Sequence, residues 1–96
     1  MDTLKKRYRK TDSIISRKID DEFILVPIRH DVGELSSIYT LNEVAARIWE
    51  LIDGQSTGED IREKIVEEYE VESRTAEEDI RYYLTQMETH GFILAD

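Results

Sequence analysis

The stretch YTLNEVAARIWELIDG, residues 39–54, contains the start, the apolar face and the end of one predicted helix. Thr40 followed three residues later by Glu43 is the pattern of a capping box, in which each side chain bonds the other residue's backbone N–H. Gly54 can adopt the left-handed conformation that ends many helices. Apolar residues recur at the i, i+3, i+4, i+7 spacing of a helix face, namely Ala45, Ile48, Trp49 and Ile52. The stretch therefore predicts an amphipathic helix with Trp49 in the core.

Upstream of this helix the apolar pattern has a period of two, which is typical of β-strands. Asp20-Asp21 predicts a tight turn between two such runs, and Asp31-Val32-Gly33 predicts a second turn before a short run from Glu34 to Thr40. The alternating residues are Ile15, Arg17 and Ile19 in the first run and Ile24, Val26 and Ile28 in the second. A three-stranded antiparallel meander is predicted, with the third strand at its edge.

Downstream of Gly54 the pattern stays helical and predicts two more helices. Ser56 with Glu59, and Thr75 with Glu78, have the spacing of capping boxes, and Gly91 is placed to end the last helix. The predicted apolar faces are Ile61, Ile65, Val66 and Tyr69, then Ala76, Ile80, Tyr83, Leu84 and Met87. Phe92 to Leu94 is expected to pack back on the core. The element order predicts an α+β fold with three strands followed by three helices.

Length and composition restrict the class of protein. A chain of 96 residues forms at most one domain with a modest core. The absence of cysteine excludes disulfides and thiolate metal sites, and no apolar run approaches the length of a membrane span. With no signal-peptide pattern at the N-terminus, the expected location is the cytoplasm, without membrane association.

Charge is unevenly distributed along the chain. Residues 1–12 contain five bases and two acids, a net charge of +3, whereas the other 84 residues contain eight bases and twenty acids, a net charge of −12. We interpret residues 1–12 as a basic flexible tail, with a contact arm as the alternative, and residues 13–96 as the folded domain. The acidic domain is expected to repel nucleic acid.

The sequence contains no motif of a catalytic or metal site. His30 and His90 are sixty residues apart, and no Gly-rich phosphate loop or nucleophile motif is present. Acidic runs such as Glu67-Glu68 and Glu77-Glu78-Asp79 do not by themselves indicate acid–base catalysis, because a catalytic carboxylate needs a low-dielectric site and helix starts are enriched in acids for dipole reasons alone. A protein without enzymatic activity, metal or cofactor is predicted.

The edge strand is the unusual feature. Between Leu35 and Thr40 the sequence lacks the charges and prolines that usually block strand pairing. One interpretation is that an extended peptide adds here as a further strand. The other is an ordinary edge covered by the chain's own helix or by a second copy, and the pattern alone does not choose between them.

Several motifs, in this order, resemble the PqqD family, whose fold is also called the RiPP recognition element. The resemblance covers roughly residues 14–94, and its motifs are Leu41-Asn42, Ile48-Trp49, Asp53-Gly54, Asp79-Ile80, Tyr83-Leu84, Met87 and Gly91-Phe92-Ile93. It implies a winged helix-turn-helix fold in which the leader of a ribosomally made precursor peptide docks as a strand against the third strand, in a groove shared with the last helix.

Transferred to this chain, the resemblance and the helical wheel together suggest the two walls of a peptide-binding groove. One wall is the third strand, with Leu35, Ser36, Ser37, Ile38, Tyr39 and Thr40. The other is one side of the last helix, with Asp79, Tyr82, Tyr83 and Gln86.

The leading hypothesis is thus a non-catalytic peptide chaperone that presents a leader to a modifying enzyme. The resemblance implies that this partner is a radical S-adenosylmethionine (SAM) enzyme. The alternatives are a winged-helix DNA-binding regulator and a structural dimerisation module. A monomer and a homodimer both remain open.

Overall fold

The computed structural model describes residues 3–12, 14–27 and 39–96. The elements follow one another as a 3-10 helix (Thr3–Lys5), β1 (Tyr8–Lys10), β2 (Ile14–Ile19), β3 (Glu22–Pro27), β4 (Tyr39–Leu41), α1 (Glu43–Leu51), α2 (Gly58–Tyr69), α3 (Ser73–Thr89) and β5 (Ile93–Ala95). The predicted α+β class, with a three-stranded antiparallel sheet followed by three helices, is confirmed.

The three-stranded sheet has the order β2-β3-β4, and both pairs are antiparallel. Ile19 pairs with Glu22, so Asp20-Asp21 forms the predicted tight turn, with Asp20 at a φ of 55°. Leu25, Tyr39 and Leu41 lie on the face that packs against the helices. The predicted turn at 31–33 and the first part of the predicted third strand lie outside the described residues.

A second, two-stranded sheet pairs β1 with β5 near the two ends of the chain. Residues 3–12 are consequently not a solvated tail, and the boundary predicted at residue 12 does not separate them from the folded domain. Leu4 and Tyr8 are only 3% and 1% exposed, and both belong to the same core as the helices. The sequence did not predict this role, because residues 3–12 are mostly basic and polar. Their few apolar residues do not form the alternating pattern of a strand.

The segment 3–12 is joined to the rest of the domain by backbone contacts as well as by packing. The N–H groups of Gly58 and Gly54 donate to the carbonyls of Lys6 and Tyr8, at 3.1 and 2.8 Å. Gly58 is required for this approach, because a Cβ there would lie 2.7 Å from the Leu4 Cα. Glycine at the start of α2 thus lets the 3-10 helix pack directly on it.

All three helices turn the predicted apolar faces inward. The fully buried positions are Ala45, Ile48, Trp49 and Ile52 at α1, Ile61 and Ile65 on α2, and Ala76, Ile80, Leu84 and Met87 on α3. Trp49 is 3% exposed, and the Lys10 ammonium lies 4.9 Å from the centroid of its ring, a cation–π contact. The pKa of Lys10 is lowered by burial, which the nearby Glu50 and Asp53 carboxylates oppose.

The predicted helix starts are wrong in detail. Asn42, not Thr40, caps α1, because Thr40 is already part of β4. Thr57 and Asp60 form the capping box of α2, one residue after the predicted pair.

The start of α3 also differs, because Thr75 lies inside the helix and the N-cap residue Glu72 makes no side-chain cap bond.

The end of α3 is as predicted. Gly91 has a φ of 78°, and its N–H donates to the carbonyl of Glu88 at 3.0 Å. The Phe92 N–H donates to the Met87 carbonyl at 2.9 Å, which completes a Schellman motif. This turn directs Phe92 and Ile93 back into the core, where both are buried.

Candidate functional site

A cleft of about 490 Å³ lies between β4 and α3. Its lining residues are Tyr39, Thr40, Leu41, Asn42, Tyr82 and Tyr83. One wall is thus the whole of β4 together with the cap of α1, and the other wall is a pair of adjacent tyrosines in the middle of α3.

The strand wall has an open edge within the described residues. There, β3 is the one strand that pairs with β4, through the pairs Phe23–Leu41, Ile24–Thr40 and Leu25–Tyr39. In an antiparallel sheet, alternate residues of an edge strand point their N–H and C=O groups away from the neighbouring strand. An extended chain placed in the cleft would therefore meet unpaired backbone groups of β4.

Aromatic packing fixes the position of Tyr39. Its ring makes edge contacts with His90, with centroids 5.2 Å apart, and with Phe92, at 5.6 Å. His90 in turn stacks on Phe92, so the end of α3 holds the start of β4 in place. Burial raises the pKa of the Tyr39 hydroxyl, with smaller contributions from Tyr82 and Tyr83, and the phenol stays neutral at physiological pH.

Asn42 connects the two walls. Its Oδ1 accepts a hydrogen bond from the Ala45 N–H at 2.8 Å, which caps α1, and its Nδ2 donates to the Tyr83 hydroxyl, also at 2.8 Å. Tyr83 is half-buried, and its ring lies edge-on against that of the exposed Tyr82, with centroids 5.2 Å apart. The cap of one helix thereby holds a side chain of another at the mouth of the cleft.

The structure brings together four of the ten residues predicted for the peptide groove: Tyr39 and Thr40 on β4, and Tyr82 and Tyr83 on α3. Asp79 and Gln86 lie about one turn before and after Tyr83 on α3, and they do not line the cleft. Leu35, Ser36, Ser37 and Ile38 lie outside the described residues.

Sequence reasoning missed Asn42 as a site residue. Its position between Leu41, the last apolar residue of a strand, and Glu43, at the start of a helix, is typical of an N-cap and could have indicated it. Nothing in the sequence indicated that the same amide reaches a tyrosine 41 residues further along the chain.

A second cleft, of about 520 Å³, lies on the other side of Leu41 and Asn42. Its lining includes charged side chains of both signs, the bases Lys18 and Arg47 and the acids Asp21, Glu43 and Glu50. Phe23, Ala46 and Tyr69 also line it. Although slightly larger, it does not include Tyr39, Thr40 or α3. We therefore regard the β4–α3 cleft as the better candidate for recognition of an extended chain.

The described residues provide no arrangement of three His, Asp or Glu side chains that could hold a metal ion. Across those same ranges, the helices are too short or too polar to cross a membrane. Two bases of α3 lie near acids on the same helix: Arg81 contacts Glu77 at 3.1 Å, and Arg74 lies 4.0 Å from Glu78.

Comparison with models of protein families identifies the family of this chain. The family described as coenzyme PQQ synthesis protein D (PqqD) matches residues 22–93, about three quarters of the sequence. The chain belongs to the PqqD family. The matched range includes β3, β4, all three helices and the start of β5, and thus every residue that lines the β4–α3 cleft. No curated protein sequence matches the chain significantly.

Two solved structures resemble the whole domain. One is TbiB1 in complex with the TbiA(beta) leader peptide, which is 28% identical, has a TM-score of 0.72, and is matched over 88% of this chain and 93% of that one. The other is lasso peptide synthetase B1 complexed with the leader peptide, also 28% identical, with a TM-score of 0.74 over 92% of this chain and 98% of that one.

Proposed function

We propose that this protein binds the leader of a ribosomally synthesised precursor peptide as an added strand along β4, and holds it there for a separate modifying enzyme. The observation that carries the proposal is the open edge of β4 beside the tyrosine-lined wall of α3. Strand addition uses such an edge for main-chain hydrogen bonds and uses neighbouring side chains for selectivity. Membership of the PqqD family and the leader-peptide complexes of both similar structures support it.

The proposal includes no catalysis by this chain. The β4–α3 cleft is lined by three tyrosines, an asparagine, a threonine and a leucine, without a nucleophile–base pair. We assign the chemistry to a partner, and the resemblance in sequence suggests a radical SAM enzyme. The chain contains no cysteine, so an iron–sulfur cluster would belong to that partner. One of the similar structures is a lasso peptide synthetase and both hold a leader peptide, which supports leader binding in general rather than one modification.

DNA binding is disfavoured by charge. The first half of α3 exposes Glu78 and Asp79, and the nearby Arg74 and Arg81 face acidic side chains. A recognition helix needs free bases to neutralise phosphates. We expect no salt-sensitive affinity for duplex DNA in a mobility-shift titration.

The first test is an NMR titration of the labelled protein with the synthetic leader of the precursor encoded beside its gene. We expect the largest amide shifts at Tyr39, Thr40 and Leu41 and on the Tyr82–Tyr83 side of α3. Shifts that cluster on α2, between Gly58 and Tyr69, and leave β4 unchanged would contradict the proposal.

The second test changes the peptide and leaves the protein intact. A series of leader peptides, each N-methylated at one backbone nitrogen, removes one N–H donor at a time. An added strand directs alternate N–H groups towards β4, so affinity should fall at every second residue, by about 0.5–1.5 kcal/mol for each lost hydrogen bond. The intervening methylated peptides are the matched controls. A loss without a period of two would exclude strand pairing.

The partner is tested separately by reconstitution. Modification of the precursor by the neighbouring enzyme should be faster with this protein present, and a rate independent of it would contradict a presenting role.

A further inference from the structure

The orientation of the Asn42 amide is determined by the backbone. The Ala45 N–H can only donate, so the atom that faces it must be the Oδ1 oxygen. An inverted amide would place an NH₂ group against an N–H group. The NH₂ group must therefore be the one that faces the Tyr83 hydroxyl, 2.8 Å away.

This contact determines what the Tyr83 hydroxyl can do next. The Asn42 NH₂ group can only donate, so the Tyr83 oxygen must accept, and its own proton has to point elsewhere. Among the described residues, the bond from Asn42 is the one hydrogen bond that the Tyr83 hydroxyl makes. Because Tyr83 lines the cleft together with Tyr39, Thr40 and Leu41, the unused proton is available beside the open edge of β4.

We propose that the Tyr83 hydroxyl donates this proton in a hydrogen bond to a backbone carbonyl of the peptide docked along β4, and that Asn42 is the positioning residue that keeps the proton available. The inference rests on the proposed function, since it needs a peptide in the cleft. A strand paired with β4 on one side has unpaired carbonyls on its other side. Tyr83 would satisfy one of them from α3, which adds affinity without requiring any particular side chain in the peptide.

Two single substitutions and their combination test this arrangement. Tyr83→Phe removes the hydroxyl and retains the ring. Asn42→Asp retains the cap of α1, because Asp and Asn are about equally good N-caps, but replaces the donor with an acceptor that takes up the Tyr83 proton. Affinity for the synthetic leader of the neighbouring precursor, measured by calorimetry, should fall roughly 3- to 10-fold in each single variant, as for one lost hydrogen bond.

The double variant distinguishes this mechanism from a simple effect of charge. Once Tyr83→Phe has removed the hydroxyl, there is no proton for the new carboxylate to accept, so adding Asn42→Asp should cost little further affinity. Tyr69→Phe, on α2 and away from the cleft between β4 and α3, is the matched control and should bind like the wild type. Unchanged melting temperatures would show that the losses do not arise from unfolding.

The outcomes separate the inference from the proposed function. If the wild-type protein does not bind the leader, both are wrong. If it binds with shifts on β4 and Tyr83→Phe binds equally well, strand addition stands and the role of the hydroxyl is refuted. If the loss from Asn42→Asp persists in full when it is combined with Tyr83→Phe, Asn42 does not act through Tyr83.

Discussion

β1 and β4 are both strands of three residues, yet they differ in how their edges are used. β1 has partners at both edges: β5 pairs with one edge, and at the other the Gly54 N–H donates to the Tyr8 carbonyl, beside an isolated bridge from the preceding Arg7 to Thr57. β4 pairs with β3 alone within the described residues. A strand with two occupied edges contributes to stability, whereas a strand with one free edge can also bind another chain. The comparison predicts that changes near β1 affect folding and changes near β4 affect binding.

The largest effect should follow deletion of residues 1–12. Deletion removes the buried side chains of Leu4 and Tyr8 and leaves β5 without its partner. Truncation of one such side chain to alanine costs about 2–5 kcal/mol, so the sum is comparable to the whole stability of a small domain, roughly 5–15 kcal/mol. Urea denaturation followed by circular dichroism should show no cooperative transition.

A variant with Lys5, Lys6 and Arg9 replaced by glutamine is the control for this deletion, because it removes charge and retains both core residues. It should unfold cooperatively, and it is also the appropriate protein for a DNA-binding assay. If the deletion variant melted like the full chain, the segment would be a tail after all.

The second prediction contrasts one aromatic residue near each strand. Trp49→Ala, beneath Lys10 of β1, should cost about 3–5 kcal/mol of unfolding free energy. Tyr83→Ala, beside β4, should cost about 1 kcal/mol of unfolding free energy, because the side chain is only half-buried in the free protein. The same substitution should weaken leader binding about tenfold, because a bound peptide would cover the rest of the ring. Chemical denaturation and calorimetry on both variants measure the two quantities. If Trp49→Ala kept full stability but lost leader binding, the division between folding near β1 and binding near β4 would be wrong.

The third prediction concerns how closely the 3-10 helix approaches α2. Gly58→Ala would place a methyl group 2.7 Å from the Leu4 Cα and 2.9 Å from the Thr3 carbonyl, and should cost about 1–3 kcal/mol. The amide signals of residues 3–8 should shift. At Gly91 a Cβ would meet no atom within 4 Å, so Gly91→Ala is a control that tests only the cost of a positive φ. In that variant the shifted amide signals should be confined to the end of α3. Unperturbed signals for residues 3–8 in Gly58→Ala would mean that this close contact does not exist in solution.

Periodicity predicted the helices well because each apolar face is a local property of nine to seventeen residues. The starts of the helices were less predictable. Patterns of Ser or Thr followed by an acid three residues later recur in an acidic chain, and Thr40 illustrates why one of them failed: its backbone pairs with Ile24 in the sheet. Tertiary pairing, which the local pattern does not contain, thus leaves Asn42 as the cap of α1. At α2 the Ser56 hydroxyl bonds Asp53, and Thr57 is the cap.

The parts of the site that could not be predicted depend on long-range contacts. Tyr8 and Ala95 pair across 87 residues, and neither three-residue strand is long enough to show alternation. Tyr83 was predicted for a groove wall from the family resemblance together with the helical wheel, but its bond to Asn42 was not predicted. Leu35 to Ile38 and the predicted oligomeric states remain predictions.

The pairing of β1 with β5 also has a mechanical consequence. The two strands are antiparallel and lie near opposite ends of the chain, so Tyr8 is opposite Ala95, and the Asp96 N–H donates to the Arg7 carbonyl. A force applied between the ends of the chain would load these hydrogen bonds one after another, beginning with the Asp96–Arg7 bond, instead of shearing them together. The ribbon should therefore unzip at low force and withdraw Tyr8 from the core before the sheet that carries β4 is stretched.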